Sequence, residues 1–211
     1  LRCKYVLDQF VIKREFIKGT DGWSLKRYKW YSSEKSRSGR GSYVNAFGED
    51  DDEGDSYNRR ILMLLSAFHV STPTLVYKHW LNAALFQLFY ADAIQPNEYL
   101  LYLESVAKAF VFDRFLADGD GAEYFDIIYG NGGICQTPFD SELVTNIDPK
   151  LRFGNIENNL VFNFLDYLLW VKGKGTDNII STYEFTFRSS VEHYYPQNPM
   201  PGHDVLEPEV L

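Results

Sequence analysis

Two adjacent side chains near the carboxyl end of the chain, Glu192 and His193, have the types and spacing that metal-assisted phosphodiester cleavage uses. A carboxylate binds a hard cation such as Mg²⁺ through oxygen, and an imidazole takes a proton from water near neutral pH. The cation stabilises charge on the leaving oxygen. The alternative interpretation is structural: Glu192 caps a turn and His193 packs on aromatic rings.

The segment around this pair, VEHYYPQNP over residues 191–199, resembles the signature that opens HNH (His-Me finger) nuclease domains. It is most similar to the E-H-x-x-P-Q form in the C-terminal domain of GmrSD-type restriction endonucleases. By this resemblance His193 is the general base and Glu192 a metal ligand or a support of the metal site. The same resemblance makes Pro196 and Gln197 the residues that shape the following loop.

Two further stretches of the chain resemble the helical linking region of that family. They are RRILMLLSAFHVSTPTLVYKHWLNAALFQLFY and NNLVFNFLDYLLW. The resemblance implies a bacterial, cytoplasmic protein that restricts foreign or modified DNA with Mg²⁺ or Mn²⁺. It also implies a ParB-like N-terminal domain that handles a nucleotide, which these residues do not include.

The chain ends at Leu211, eighteen residues past His193, and begins at Leu1 rather than at a methionine. In the family, a second strand and a helix follow the His and bring an Asn or His to the metal. We therefore expect a fragment that does not cut DNA alone. The alternative is a non-catalytic helical module that joins two functional domains and binds DNA or another partner, and a homo-oligomer also stays open.

Bulk composition indicates a folded chain. The 211 residues are 45% hydrophobic and 17% aromatic, enough for one large domain or two small ones with a sizeable core. The net charge of −8 argues against this piece as the main DNA-gripping surface, because phosphate neutralisation needs clustered Lys and Arg. It does not exclude DNA as a partner of a larger protein.

The cysteine and apolar patterns exclude several classes. Cys3 and Cys135 form no C-x-x-C pair, so we expect reduced thiols in a cytoplasmic protein. No apolar run approaches the ~18 residues of a membrane span, so no membrane partner is expected.

Apolar spacing predicts a mainly α fold, with a helical bundle-like domain over residues 1–176 and a short β element at the start of a truncated HNH domain over 177–211. The predicted helices share apolar positions at i, i+3, i+4 and i+7. They cover residues 57–69, a stretch opened by Ser71-Thr72-Pro73 and running to Phe89, a stretch opened by Gln95-Pro96 and running to Phe115, and residues 154–171. Residues 178–187 alternate as a strand does.

The remaining segments are less regular. Residues 3–18 have near-helical spacing in their first half, and residues 23–31 alternate aromatic and basic side chains without deciding between helix and strand. Residues 32–56 form a long predicted surface loop. Its basic half either touches a phosphate or is simply solvated. The basic residues are Lys35, Arg37 and Arg40.

Other residues offer weaker candidate sites. His69 and His79 lie in the predicted helical block and are expected in or beside the core. His203, in a Pro/Gly-rich stretch, either joins a metal or stays solvated. The four tryptophans, Trp23, Trp30, Trp80 and Trp170, are able to stack a nucleic-acid base. Helical spacing with aliphatic neighbours favours a place in the core for Trp80 and Trp170.

Overall fold

A computed structural model of the protein describes residues 1–17, 19–31, 39–48, 57–72, 78–152, 154–186 and 202. Over these residues the protein is mainly α, as predicted, with two small antiparallel two-stranded sheets, both in the amino-terminal part; the predicted start of an HNH motif stays a prediction. Within the described ranges, no helix combines the length and the apolar character needed to cross a membrane. The predicted division at residues 176 and 177 stays a prediction.

The described residues of the amino-terminal part include one helix and two hairpins. Helix α1 (Arg2–Phe10) comes first; strand β1 (Lys13–Ile17) then pairs with β2 (Thr20–Ser24), and β3 (Lys26–Tyr31) pairs with β4 (Arg40–Asn45). The near-helical spacing before residue 11 is thus confirmed, and the undecided segment 23–31 is extended. The loop predicted over residues 32–56 is wrong where β4 lies; residues 32–38 and 49–56 lie outside the described residues.

The regular elements in the rest of the described chain are helical. Its elements are α2 (Tyr57–Ser71), α3 (His79–Tyr90), α4 (Pro96–Ala109), a π-helix (Phe110–Phe115), a π-helical turn (Asp126–Gly130), α5 (Leu143–Ile147), a 3₁₀ turn (Asp148–Leu151), α6 (Leu160–Gly173) and α7 (Asn178–Ser181). Pro96 stands in the first turn of α4, as predicted, because its missing N–H has no intrahelical partner there. The Asp140 carboxylate accepts a hydrogen bond from the backbone N–H of Glu142, the residue before α5.

Helix α2 is the centre of the bundle, with α4 and α6 packed on it. From Ile61 to Phe68 every residue is buried, so α2 is covered on all sides. Two polar contacts link it to its neighbours. The Asn163 amide of α6 donates to Ser71 Oγ over 2.8 Å, and an Arg60 guanidinium nitrogen lies 2.8 Å from a Glu104 oxygen of α4. These bonds orient helices that apolar packing alone would leave free to slide.

The helix start predicted at Ser71-Thr72-Pro73 is wrong. Ser71 ends α2, where its hydroxyl donates to the Ala67 carbonyl, and the Thr72 hydroxyl donates to the Phe68 carbonyl. Both hydroxyls therefore bond back into the preceding turn instead of capping a new helix. Helix α3 begins at His79, and residues 73–77 lie outside the described residues.

The strand predicted over residues 178–187 is wrong for the part that is described. The Asp177 carboxylate accepts bonds from the backbone N–H groups of Ile179 and Ile180 and starts the short helix α7 instead. Residues 183–186 then run without regular structure across the bundle, with Phe185 only 4% exposed and Glu184 3.0 Å from an Arg59 guanidinium nitrogen. The Asp177 cap and the packing of Phe185 therefore outweigh the alternating pattern of the sequence.

Helix α6 starts six residues later than the sequence predicts, since residues 154–159 are turn and extended chain. Residues 122–150 hold short helical elements joined by irregular chain. A buried carboxylate organises this region: Asp113 accepts hydrogen bonds from the backbone N–H groups of Gln136 and Thr137, from the Thr137 hydroxyl and from the Cys135 thiol. One side chain thereby pins the loop after residue 133 to the π-helix.

Candidate nucleic-acid interface

The residues that carry the nuclease prediction, Glu192, His193, Pro196 and Gln197, lie outside the described residues, as does His203. Their roles therefore stay predictions. In the described ranges, no three His, Cys, Asp or Glu side chains come together as a metal-binding group.

The two histidines of the helical block lie at the edge of the core, as predicted. His69 packs between Trp23 and Trp80, at 4.6 Å and 6.0 Å between ring centroids. Burial, with a smaller contribution from the positive charge of Lys78, lowers the pKa of His69 to about 4, so this ring is neutral at pH 7. His79 stacks on Tyr124 at 3.9 Å, and burial lowers its pKa as well. Both rings are used in packing.

The four tryptophans separate clearly by exposure. Trp80 and Trp170 are 3% and 2% exposed, which confirms that they belong to the core. Trp23 is half-buried against His69. Trp30 is 59% exposed and is the tryptophan that offers an open ring to solvent. It therefore remains a candidate for stacking a nucleic-acid base.

Trp30 belongs to the hairpin of β3 and β4, which we call the ribbon (residues 26–31 and 40–45). The ribbon has four basic side chains and no acidic one, in a chain whose net charge is −8. The basic residues are Lys26, Arg27, Lys29 and Arg40. Lys26 is paired with Glu15 at 2.9 Å, whereas the other three are exposed. A local cluster of positive charge of this kind attracts phosphate.

One face of the ribbon is aromatic. Side chains alternate along a strand, and the register pairs Tyr28 with Tyr43 and Trp30 with Gly41 on the same face. The two tyrosine rings meet edge to face at 5.4 Å, and they are 48% and 63% exposed. Large rings exposed side by side on a short hairpin are not needed for a core, which makes them a candidate binding surface.

Glycines let these rings lie against the backbone of the opposite strand. A Cβ built on Gly39 would overlap the Trp30 ring, and one built on Gly41 would overlap the Tyr28 ring. Any larger residue at either position would therefore push a ring away. We call the three exposed rings of this face, Tyr28, Trp30 and Tyr43, the aromatic platform, which is a candidate surface for stacking a base.

The opposite face of the ribbon is basic. It presents Arg27, Lys29 and Tyr31 from β3 and Arg40 from β4, and the Lys29 ammonium lies 5.1 Å from the centre of the Tyr31 ring. Of the three basic residues that the sequence predicts to touch a phosphate or be solvated, Arg40 is the first residue of β4, and Lys35 and Arg37 lie outside the described residues. The ribbon thus combines stacking surface and positive charge within a few residues.

The root of the ribbon is anchored in the core. Leu25, Ala46 and Phe47, which flank the two strands, are buried, and the ladder continues through a 3.1 Å bond from the Ala46 N–H to the Leu25 carbonyl. The Phe47 N–H donates to the Asn58 side chain of α2 over 3.1 Å. The Tyr28 N–H donates to the Gln9 side chain of α1 over 3.2 Å. The rings and charges therefore stand on a fixed base.

The sequence contained part of this signal. The alternation of aromatic and basic residues from Trp23 to Tyr31 is the pattern of a two-faced strand, but without a partner strand it does not distinguish strand from helix. The partner, Arg40–Asn45, lies in a Gly/Ser-rich stretch that resembles a loop. The role of its glycines is visible only once the strands pair, since Gly39 then lies against the Trp30 ring and Gly41 against the Tyr28 ring.

No protein-family model matches the chain, and neither a curated protein nor a solved structure does.

Proposed function

We propose that this chain is part of a metal-dependent DNA endonuclease of the GmrSD type, which restricts foreign or modified DNA in the bacterial cytoplasm. The ribbon would be a surface that holds the nucleic acid. The observation that carries this proposal is the ribbon's composition: four basic and no acidic residues, with exposed rings, in an otherwise acidic chain. The cutting step is proposed from the resemblance of residues 191–199 alone.

Rings and charges together favour nucleic acid over an acidic protein as the ligand. Exposed lysines and arginines attract any polyanion. Tyr28, Trp30 and Tyr43 add flat apolar surfaces on the other face of the same hairpin. Bases stack on such rings while phosphates pair with nearby cations, which is how single-stranded nucleic acid is commonly bound. The acidic remainder of the chain would repel the strand elsewhere and so favour this one surface.

The binding proposal is tested by the salt dependence of affinity. Fluorescence anisotropy of a short labelled single strand and of the matching duplex gives Kd as salt rises. A triple variant, Arg27→Ala, Lys29→Ala and Arg40→Ala, should lower the slope of log K against log salt by about 2, since each lost phosphate contact on a single strand contributes ~0.7.

A matched control removes the same charge from other exposed positions, with Lys4→Ala, Arg152→Ala and Lys172→Ala. We expect the slope of log K against log salt for this control to stay close to the wild-type slope. The only expected difference is the small one caused by the loss of three units of net charge. Equal slopes for the two triple variants would contradict the proposed role of the ribbon.

The cutting proposal assigns proton transfer from water to His193 and metal binding to Glu192, where Mg²⁺ or Mn²⁺ would supply charge stabilisation at the phosphate. It is tested by plasmid nicking with the complete natural protein in either metal. His193→Ala should abolish nicking, whereas Lys172→Ala, a change at an exposed position of α6, should not. Equal cleavage by wild type and His193→Ala would end the assignment.

The ribbon also fits the second candidate, a helical module that binds DNA without cutting it. Binding there needs only the rings and charges of the hairpin. This module would be favoured over the endonuclease if the wild-type protein binds DNA through the ribbon but does not nick it with either metal.

A further inference from the structure

A second site adjoins the ribbon at its root. A cleft of about 590 Å³ opens between α1, the ends of β3 and β4, and the turn that joins α3 to α4. This volume lies within the range of small-ligand sites, roughly 300–1,000 Å³. The apolar side chains that line it are Val6, Phe10, Ala46, Phe47 and Ile94.

Two guanidinium groups line the cleft. Arg27 belongs to the basic face of the ribbon, so that face continues into the cleft. Arg2 comes from the first turn of α1, where it donates to the Ala91 carbonyl and lies 5.7 Å from the centre of the Phe89 ring. A guanidinium carries five N–H donors, so the bond to Ala91 leaves donors for a ligand. One acidic residue, Asp92, also lines the cleft.

An aromatic wall stands beside these cations. The Tyr5 ring is 58% exposed and meets Phe10 edge to face at 6.2 Å, and Phe10 in turn lies 5.4 Å from Phe47. The cleft is therefore lined by an exposed ring, apolar side chains and two positive charges. A ligand that uses all three is planar, aromatic and anionic.

We propose that this cleft binds one nucleotide, with its base against Tyr5 and its phosphate on Arg2 and Arg27. In part the inference rests on the proposed function. A nucleic-acid strand held on the ribbon would bring one of its nucleotides to Arg27, which belongs to both the ribbon and the cleft. A nucleotide swung out of a strand and a free mononucleotide present the same chemistry. The two sources are separated by the experiment.

The first arm titrates free deoxyadenosine monophosphate into the protein by calorimetry, and the second follows the fluorescence of 2-aminopurine within a bound single strand. Arg2→Ala and Tyr5→Ala should each weaken nucleotide binding about tenfold, the loss expected for one charge-assisted hydrogen bond or one stacked ring. Asp92→Asn should tighten it about threefold by removing a nearby negative charge. Lys4→Ala, an exposed change on α1 outside the cleft, should leave it unchanged.

Opposite effects of Arg2→Ala and Asp92→Asn distinguish a ligand site from a structural role, since loss of folding would weaken binding in both. Thermal melting identifies any variant that fails to fold, and Tyr5→Ala with Asp92→Asn then carries the test. If wild type binds the free nucleotide and the cleft variants change that affinity, while Trp30→Ala, a ribbon change outside the cleft, does not affect strand binding, the cleft stands and the ribbon proposal fails. No response of either nucleotide to the cleft variants would overturn the inference.

Discussion

Removal of the Trp30 ring is the perturbation that most sharply separates a binding role of the ribbon from a folding role. The side chain is 59% exposed at the outer part of a hairpin, so Trp30→Ala should change the free energy of unfolding by no more than ~0.5 kcal/mol. Loss of one stacked base should cost about 1–3 kcal/mol of binding free energy. That corresponds to a Kd for single-stranded DNA that rises by roughly 5- to 150-fold.

A second variant displaces the ring instead of deleting it. Trp30 lies over Gly39, where a Cβ would overlap the indole, so Gly39→Val should push the ring off the platform. We expect part of the Trp30→Ala loss while all aromatic and charged groups are still present. Phe125→Ala is the control, since Phe125 is 69% exposed on the helical part of the protein and far from the ribbon in sequence.

The assay is anisotropy of a labelled oligothymidine strand at constant salt, with urea unfolding of each variant measured alongside. If Trp30→Ala and Phe125→Ala bind the strand equally well, the ring does not stack on a base and the reasoning is wrong. If Trp30→Ala instead unfolds at markedly lower urea, the ring supports the fold rather than the ligand.

Two further predictions concern the carboxylate that pins the loop after residue 133. Burial alone would raise the pKa of Asp113, but the hydrogen bonds from Thr137, Gln136 and Cys135 outweigh burial and lower it below its ordinary value. Asp113→Ala should therefore destabilise the protein by about 2–4 kcal/mol at pH 7 in urea unfolding, because it leaves buried donors unpaired. Since the folded-state pKa of Asp113 is depressed, this difference in the free energy of unfolding should shrink as pH falls below ~4. A difference that stays constant down to pH 2 would contradict the prediction. Burial, with a smaller contribution from the hydrogen bond to Asp113, raises the pKa of Cys135 to about 11, so at pH 8 only ~0.1% of this cysteine is thiolate. Iodoacetamide should therefore label the exposed Cys3 first. Equal labelling of the two cysteines in mass spectra would argue against the contact between Cys135 and Asp113.

The sequence predicts the helical bundle well because its signal is local and repeated. Helix α2 has apolar residues on every side from Ile61 onward, and α4 starts at a Gln-Pro pair that permits only a first-turn position for the proline. These two elements need no knowledge of the rest of the fold. The boundaries are less certain, as the late start of α6 at Leu160 illustrates.

Errors arise where a tertiary contact decides between local alternatives. The Ser71 and Thr72 hydroxyls are good helix caps in isolation, yet they bond backward to α2. The alternating residues after Asp177 fit a strand, yet the Asp177 cap starts a helix. In both cases the same side chain supports two conformations, and only the surrounding packing selects one.

The net charge of the chain does not predict the basic ribbon, for a related reason. A net charge of −8 averaged over 211 residues conceals a hairpin with four basic residues and no acidic one. The partner strand that brings Arg40 beside Tyr31 is separated from β3 by eight residues of sequence, so the patch exists only after pairing. The nuclease prediction at Glu192 and His193 needs no such pairing, because the motif is contiguous.

Ultraviolet crosslinking of a bound oligothymidine strand, followed by mass spectrometry of the digested protein, tests the central claim most directly. We predict crosslinks within residues 26–31 and 40–45, with Trp30 and the two tyrosines that pair across the strands as the main sites. Crosslinks confined to peptides outside the ribbon, with none on these rings, would contradict the proposal that the hairpin holds nucleic acid.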